Sequence, residues 1–133
     1  MLGTITGVRT TGIAGKKYTI DWKCDASGDA NAYLDTDLSL GLLTGTIEFI
    51  LTAPGENGDL TTDLPTASYD LYIKDVHGFD WLGTSLENRS GTVAEKVVPS
   101  PIPIVIAQQL RLVVDNAGDA KRGRIIIGVK SLL

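Results

Sequence analysis

One histidine and one cysteine are all that this chain offers for the commonest nucleophilic and proton-transfer chemistry. A catalytic nucleophile needs a base within hydrogen-bond reach, most often His. His77 stands in Val76-His77-Gly78-Phe79, a turn sequence, and Cys24 closes an alternating apolar/polar run with no motif around it. His77 therefore reads as a polar turn residue and Cys24 as a buried structural thiol. One Cys and one His do not make the usual N/S zinc site. Asp25, Ser27, Asp29 and Asn31 place oxygens at alternate positions, as acidic calcium loops do. Gly28 is misplaced for that loop, however, and no Glu occupies its twelfth position, so these side chains read as turn caps. The pairs Asp35/Asp37 and Asp70/Asp80 have the right type for general acid–base work, but such pairs are expected by chance among 16 Asp and Glu. Gly83-Thr84-Ser85 lacks the Gly-Lys-Ser/Thr that completes a P-loop. No catalytic residue, metal site or cofactor is assigned, and the expectation is a protein that is not an enzyme.

The charge balance narrows the partners. Lys and Arg number 12 against 16 Asp and Glu, giving a net charge of −4 and a pI of about 4.8. A broad nucleic-acid footprint needs clustered cations to displace counterions, so none is expected. The small cluster Lys121, Arg122 and Arg124 reads as the solvated tip of a hairpin. No uninterrupted apolar run approaches the ~20 residues of a membrane helix. MLGTITGVRTTG has no basic start followed by an apolar stretch, so no signal peptide is expected and synthesis in a reducing cytoplasm is. A lone cysteine makes no internal disulfide.

The elements that would position any site are strands. In Lys17–Cys24, the residues Tyr18, Ile20, Trp22 and Cys24 share one face, while Lys17, Thr19, Asp21 and Lys23 share the other. Period two of this kind marks a half-buried antiparallel strand. Thr46–Leu51 alternates too, with Ile47, Phe49 and Leu51 on one side, and breaks at Ala53-Pro54-Gly55. Tyr69–Lys74 resumes the pattern, followed by a turn at Asp75–Gly78 and a short strand Phe79–Leu82. Thr92–Val98 is extended. Pro99, Pro101 and Pro103 then exclude helix and favour an extended crossing or an edge strand. Leu110–Val114 and Arg124–Val129, joined by the turn-rich 115–120, read as a hairpin. Residues 25–45 read as a long loop with one short helix, and 1–14 as an extended N-terminal arm or one more strand.

These signals predict an all-β, single-domain chain with little helix. The architecture expected is an antiparallel β-sandwich, or a small jelly-roll or barrel, of about seven or eight strands. Ile20, Trp22, Phe49, Leu71, Ile73, Leu112, Val114, Ile125 and Ile127 are its predicted core.

Several fragments, in order, resemble small structural proteins of tailed bacteriophages. They are Tyr18-Thr19-Ile20-Asp21-Trp22, Thr52-Ala53-Pro54-Gly55, Ser68-Tyr69-Asp70-Leu71, Asp75–Leu82, Glu87-Asn88-Arg89-Ser90 and Val114–Gly118, with a Gly- and Ile-rich final strand. The resemblance implies a virion protein without an active site, most simply a capsid decoration or cement protein that binds the major capsid protein or other virion proteins as a homo-oligomer. Tail, baseplate and head–tail adaptor proteins are the alternatives within that class. A carbohydrate- or calcium-binding β-sandwich is the alternative outside it. Leu38–Leu43 and Pro99–Pro103 depart from the group's pattern, as contacts adapted to one partner would.

Two segments are poorly explained as core, Leu2–Thr11 and Val97–Ile106. Free strand edges pair with a neighbour's sheet, main-chain hydrogen bonds giving affinity and alternate side chains giving specificity. Ile5, Val8, Ile102 and Ile104 are the apolar anchors expected there, with ordinary edge strands as the alternative. Trp81 is the aromatic expected to be exposed for a partner or a glycan.

Overall fold

The computed structural model describes residues 2–132. Among these the strands are, in chain order, β1 (Thr4–Thr11), β2 (Gly15–Lys23), β3 (Ala30–Tyr33), β4 (Leu43–Pro54), β5 (Asp70–Lys74), β6 (Glu95–Val97), β7 (Ile104–Gln108), β8 (Arg111–Asp115) and β9 (Arg122–Lys130). A short 3-10 turn at Glu56–Gly58 is the one helical element of the described residues. The larger sheet runs β1-β2-β9-β4-β6, with β7 also paired to β4, and the smaller runs β3-β8-β5. All pairings are antiparallel. The fold is the expected all-β sandwich, with more strands than the turn signals suggested.

The alternation of β2 places its apolar face as expected: Tyr18, Ile20, Trp22 and Cys24 are buried. They meet Ile125, Ile127 and Val129 of β9 and Ile47 and Ile50 of β4, and Leu71, Ile73, Leu112 and Val114 of the small sheet join them in one core cluster. Each such side chain contributes about 1.5–3 kcal/mol when fully buried. The Trp22 and Tyr69 rings, 5.5 Å apart and tilted, join that core from separate elements.

Four expectations fail, each for a definable reason. Phe49 is not in the core. The β4–β9 register shifts between Ile47 and Phe49, so Glu48 is an extra residue that turns Phe49 outward and Ile50 inward. The last two long strands are not a hairpin: β8 pairs with β3 and β5, and β9 with β2 and β4. Residues 116–121 therefore cross between sheets, a gap of about 10 Å, with Asn116, Gly118 and Ala120 at positive φ. Residues 25–45 hold β3, turns and the start of β4 instead of a helix, with β3 pairing along β8. Residues 79–82 keep only one isolated bridge, Lys74 to Asp80, and otherwise turn.

The N-terminal residues are not a free arm. Every residue of β1 is in register with β2, from Thr4 opposite Lys23 to Thr11 opposite Lys16. Ile5, expected as a partner anchor, is 3% exposed and faces inward opposite Trp22. The alternation of the paired strand decides this, since Ile5 and Val8 have opposite parity and cannot both face out.

Candidate interface

β4 spans twelve residues and has one neighbour on one side, β9, but two short ones on the other. β6 pairs with Ile50–Thr52, and β7 pairs with Leu43, Gly45 and Thr46. Between them the chain leaves the sheet at Val98 and returns at Pro103, whose carbonyl accepts a hydrogen bond from Ile47 N at 3.1 Å. The three prolines cannot donate to a ladder, which keeps the excursion off the sheet.

This excursion meets the Phe79–Gly83 turn. Ser100, Pro101 and Pro103 line one depression of about 400 Å³ together with Phe79, Asp80, Trp81, Leu82 and Gly83. The turn is held locally. Asp75 Oδ1 accepts from His77 N and Phe79 N, Asp80 Oδ1 accepts from Leu82 N, and Trp81 N donates to Ile73 O. Phe79 and Trp81 stack edge to face, with centroids 5.5 Å apart. Phe79 is the exposed member, at 60%, while Trp81 packs against the core. Burial pushes the Asp80 carboxyl above its ordinary range, against the Leu82 and Ile73 amides and the charge of Lys74.

Val98, Ile102, Ile104 and Ile106 add exposed apolar surface along the same edge. From Val97 to Leu110 there is no charged residue. Surfaces depleted of charge and enriched in aromatic and aliphatic groups are the compositional mark of an interface core. Of the expected anchors, Trp81 lines the depression beside Pro101 and Pro103, while Ile102 and Ile104 are exposed in and just after the adjoining excursion. Val8 is exposed on the outer face of β1, across the sheet, and Ile5 is in the core. Sequence reasoning missed Ile106, though it continues the parity of Ile102 and Ile104. It also preferred Trp81 to Phe79, for which only the turn geometry decides.

The residues considered for chemistry are dispersed or engaged in turns. Cys24 lies near Tyr69, which precedes β5, whereas His77 lies in the turn beyond β5, so they do not meet. Burial, reinforced by Asp29, Asp25 and Asp115, pushes the Cys24 thiol up to about 12. Asp25 Oδ1 accepts from Ser27 N and Asp29 N, and Asp37 Oδ2 accepts from Tyr33 N. Asp70 caps Asn88 N, at the opposite end of β5 from Asp80. Among the described residues no group of three or more His, Cys, Asp or Glu is placed to hold a metal ion. No helix among them is long and apolar enough to cross a membrane. The basic cluster is not a solvated hairpin tip: Arg122 pairs with Glu56 at 2.9 Å and with Asp63 at 3.4 Å, and Arg124 grips Asp21 through two bonds of 2.6 and 2.9 Å.

No protein-family model matches the sequence, and no curated protein matches it. Among solved structures, the chain is similar to one from the Cyanophage Pam1 capsid asymmetric unit. The two share 13% identity over 93% of this chain and 91% of that one, with a TM-score of 0.48. It is also similar, at 15% identity, over 98% of this chain and 54% of that one and with a TM-score of 0.36, to a carbohydrate-binding module of the β-sandwich superfamily. Both are loose likenesses, and what those proteins bind or assemble with does not transfer to this chain.

Proposed function

We propose that this protein is a non-enzymatic virion structural protein of a tailed bacteriophage, a capsid decoration or cement protein that attaches through the corner where the Val98–Pro103 excursion meets Phe79 and Trp81. The observation that carries the reading is that corner. Fourteen consecutive residues without charge, Val97–Leu110, expose Ile102, Ile104 and Ile106, and their proline excursion meets the turn that carries exposed Phe79. A soluble chain that keeps such a surface uncovered gains from burying it against a partner. The order of fragments shared with small phage structural proteins supports the choice of partner, a capsid lattice. Attachment by burial needs no reacting group.

The test is binding of the purified chain to capsids lacking it, read as co-sedimentation. Ile104→Asp with Ile106→Asp is expected to abolish binding while leaving the thermal midpoint within a few degrees of the parent. Undiminished binding by that variant removes this corner from the attachment. Stoichiometry close to that of the major capsid protein supports a decoration role, while about a dozen copies per particle transfers the reading to an adaptor. If the corner instead holds glycan, Phe79→Ala abolishes binding to an immobilised glycan panel and spares capsid binding.

A further inference from the structure

The net charge of −4 hides a division between the two ends of the sandwich. β2 and β9 each run nine residues from one end to the other, about 30 Å. At the end where β2 begins and β9 finishes stand Lys16, Lys17 and Lys130, with Gly15 opposite Lys130 and Lys17 opposite Gly128. Depressions there are lined by Lys16, Lys17, glycines and apolar groups, and Glu48 is the one carboxylate among the lining residues. The β1–β2 turn projects from this end with Ile13 fully exposed, and Leu132 is 45% exposed beside it.

The opposite end is acidic. Hydrogen bonds from Cys24 N to Lys121 O, Ala120 N to Asp25 O, Ala117 N to Gly28 O and Arg122 N to Asp63 O draw the loops 25–29, 55–63 and 115–121 together. They carry Asp25, Asp29, Asp59, Asp63, Asp115 and Asp119. The cations at this end are Lys23, Lys121, Arg122 and Arg124, of which Arg122 is already held by Glu56 and Asp63 and Arg124 by Asp21. Leu60, 40% exposed, stands between Asp59 and Asp63 in sequence.

We infer that copies of this chain associate head to tail, the Ile13 turn and Lys16, Lys17 and Lys130 of one copy docking on the acidic loop end of the next. The occupant follows from charge complementarity: Lys16, Lys17 and Lys130 match the aspartates of the loop end, and each end carries an exposed aliphatic group, Ile13 or Leu60, to bury against the other. With a screening length of about 10 Å at ~0.1 M salt, two ends about 30 Å apart act independently. Such a contact is heterologous and closes into a ring or extends as a chain. It involves a surface separate from the β6–β7 corner and does not depend on the attachment reading.

Sedimentation velocity of the full chain tests it. At ~0.01 M salt the like net charges repel over about 30 Å. Near 0.1 M only facing ends interact, and near 1 M that attraction is screened as well. Concentration-dependent oligomers are therefore expected near 0.1 M and monomer near 1 M. Lys16→Glu/Lys17→Glu/Lys130→Glu and, separately, Asp63→Lys/Asp119→Lys should each weaken association at least tenfold alone, and an equal mixture of the two should restore it. Ile13→Ser, at a position without packing, is expected to weaken it several-fold with the fold unchanged. A parent chain monomeric at every salt concentration, or oligomers indifferent to both charge reversals and to Ile13→Ser, would overturn the inference.

Discussion

Trp22 lies flat against Gly123, its cross-strand partner, and occupies the space where a Cβ on that glycine would stand. The pair joins β2 to β9 on the inner face, with Trp22 also tilted against Tyr69. Gly123→Ala is therefore expected to push the indole off its seat at a cost of about 1–3 kcal/mol, and Trp22→Ala to cost about 3–5 kcal/mol through the cavity left behind. In the double variant the alanine at 123 has no indole to clash with, so the two losses should not add. Urea denaturation of the three variants measures this, and strict additivity would disprove the contact.

Ile5 and Val8 separate the two faces of β1. Ile5 is buried and Val8 is 64% exposed. Ile5→Ala should lose about 2–5 kcal/mol and Val8→Ala no more than about 0.5 kcal/mol. Equal losses would mean that β1 is not held in this register.

Asp21 and Arg124 make a two-bond ion pair on the outer face of the large sheet, with side chains 25% and 31% exposed. Partial exposure and screening hold its worth to about 0.5–1 kcal/mol. Asp21→Asn should lower the thermal midpoint by a few degrees at low salt and by less at ~1 M salt. A loss independent of salt would assign the effect to packing.

Alkaline pH should weaken the fold. The Cys24 thiol rises from 9.0 to about 12 on folding, chiefly by burial. Its stabilising contribution is complete below pH 9, where both states hold the proton, and is lost as pH climbs toward 12, because the unfolded chain releases the proton first. About 1 kcal/mol should be gone by pH 10. Burial also raises Tyr69 and Tyr18, which steepens the decline above that. Comparison of urea midpoints between pH 7 and 10 for the parent and Cys24→Ala tests the assignment, which predicts a flatter profile in the variant. The folded protein should also resist thiol labelling at pH 8 until denatured.

Much of the large sheet was legible in the sequence because β2 and β9 bury one face and wet the other, and alternation is a local property. The short strand β3 was not, because Ala30-Asn31-Ala32-Tyr33 carries little apolar pattern and is held in place by pairing with β8. Phe49 was misplaced because a single bulge residue inverts parity without a mark that a lone sequence shows. The Val97–Ile106 segment was read as surplus to the core, but its Val105 is fully buried, and of its valines and isoleucines only Val98, Ile102, Ile104 and Ile106 are exposed. Its meeting with Phe79 depends on how far the proline excursion swings across the sandwich.

By itself, the sequence determined that this chain is β-structured, which side chains of its regular strands face inward, and that it holds a single Cys and a single His. All of these depend on residue type and spacing along one strand. Tertiary structure alone decided that β8 and β9 belong to different sheets, that β1 is a paired edge instead of an arm, and that Lys16, Lys17 and Lys130 gather at one end while six aspartates of three separate loops gather at the other. These depend on which strand lies beside which. Turns within a sheet and crossings between sheets use the same glycines, asparagines and aspartates, so local sequence does not distinguish them.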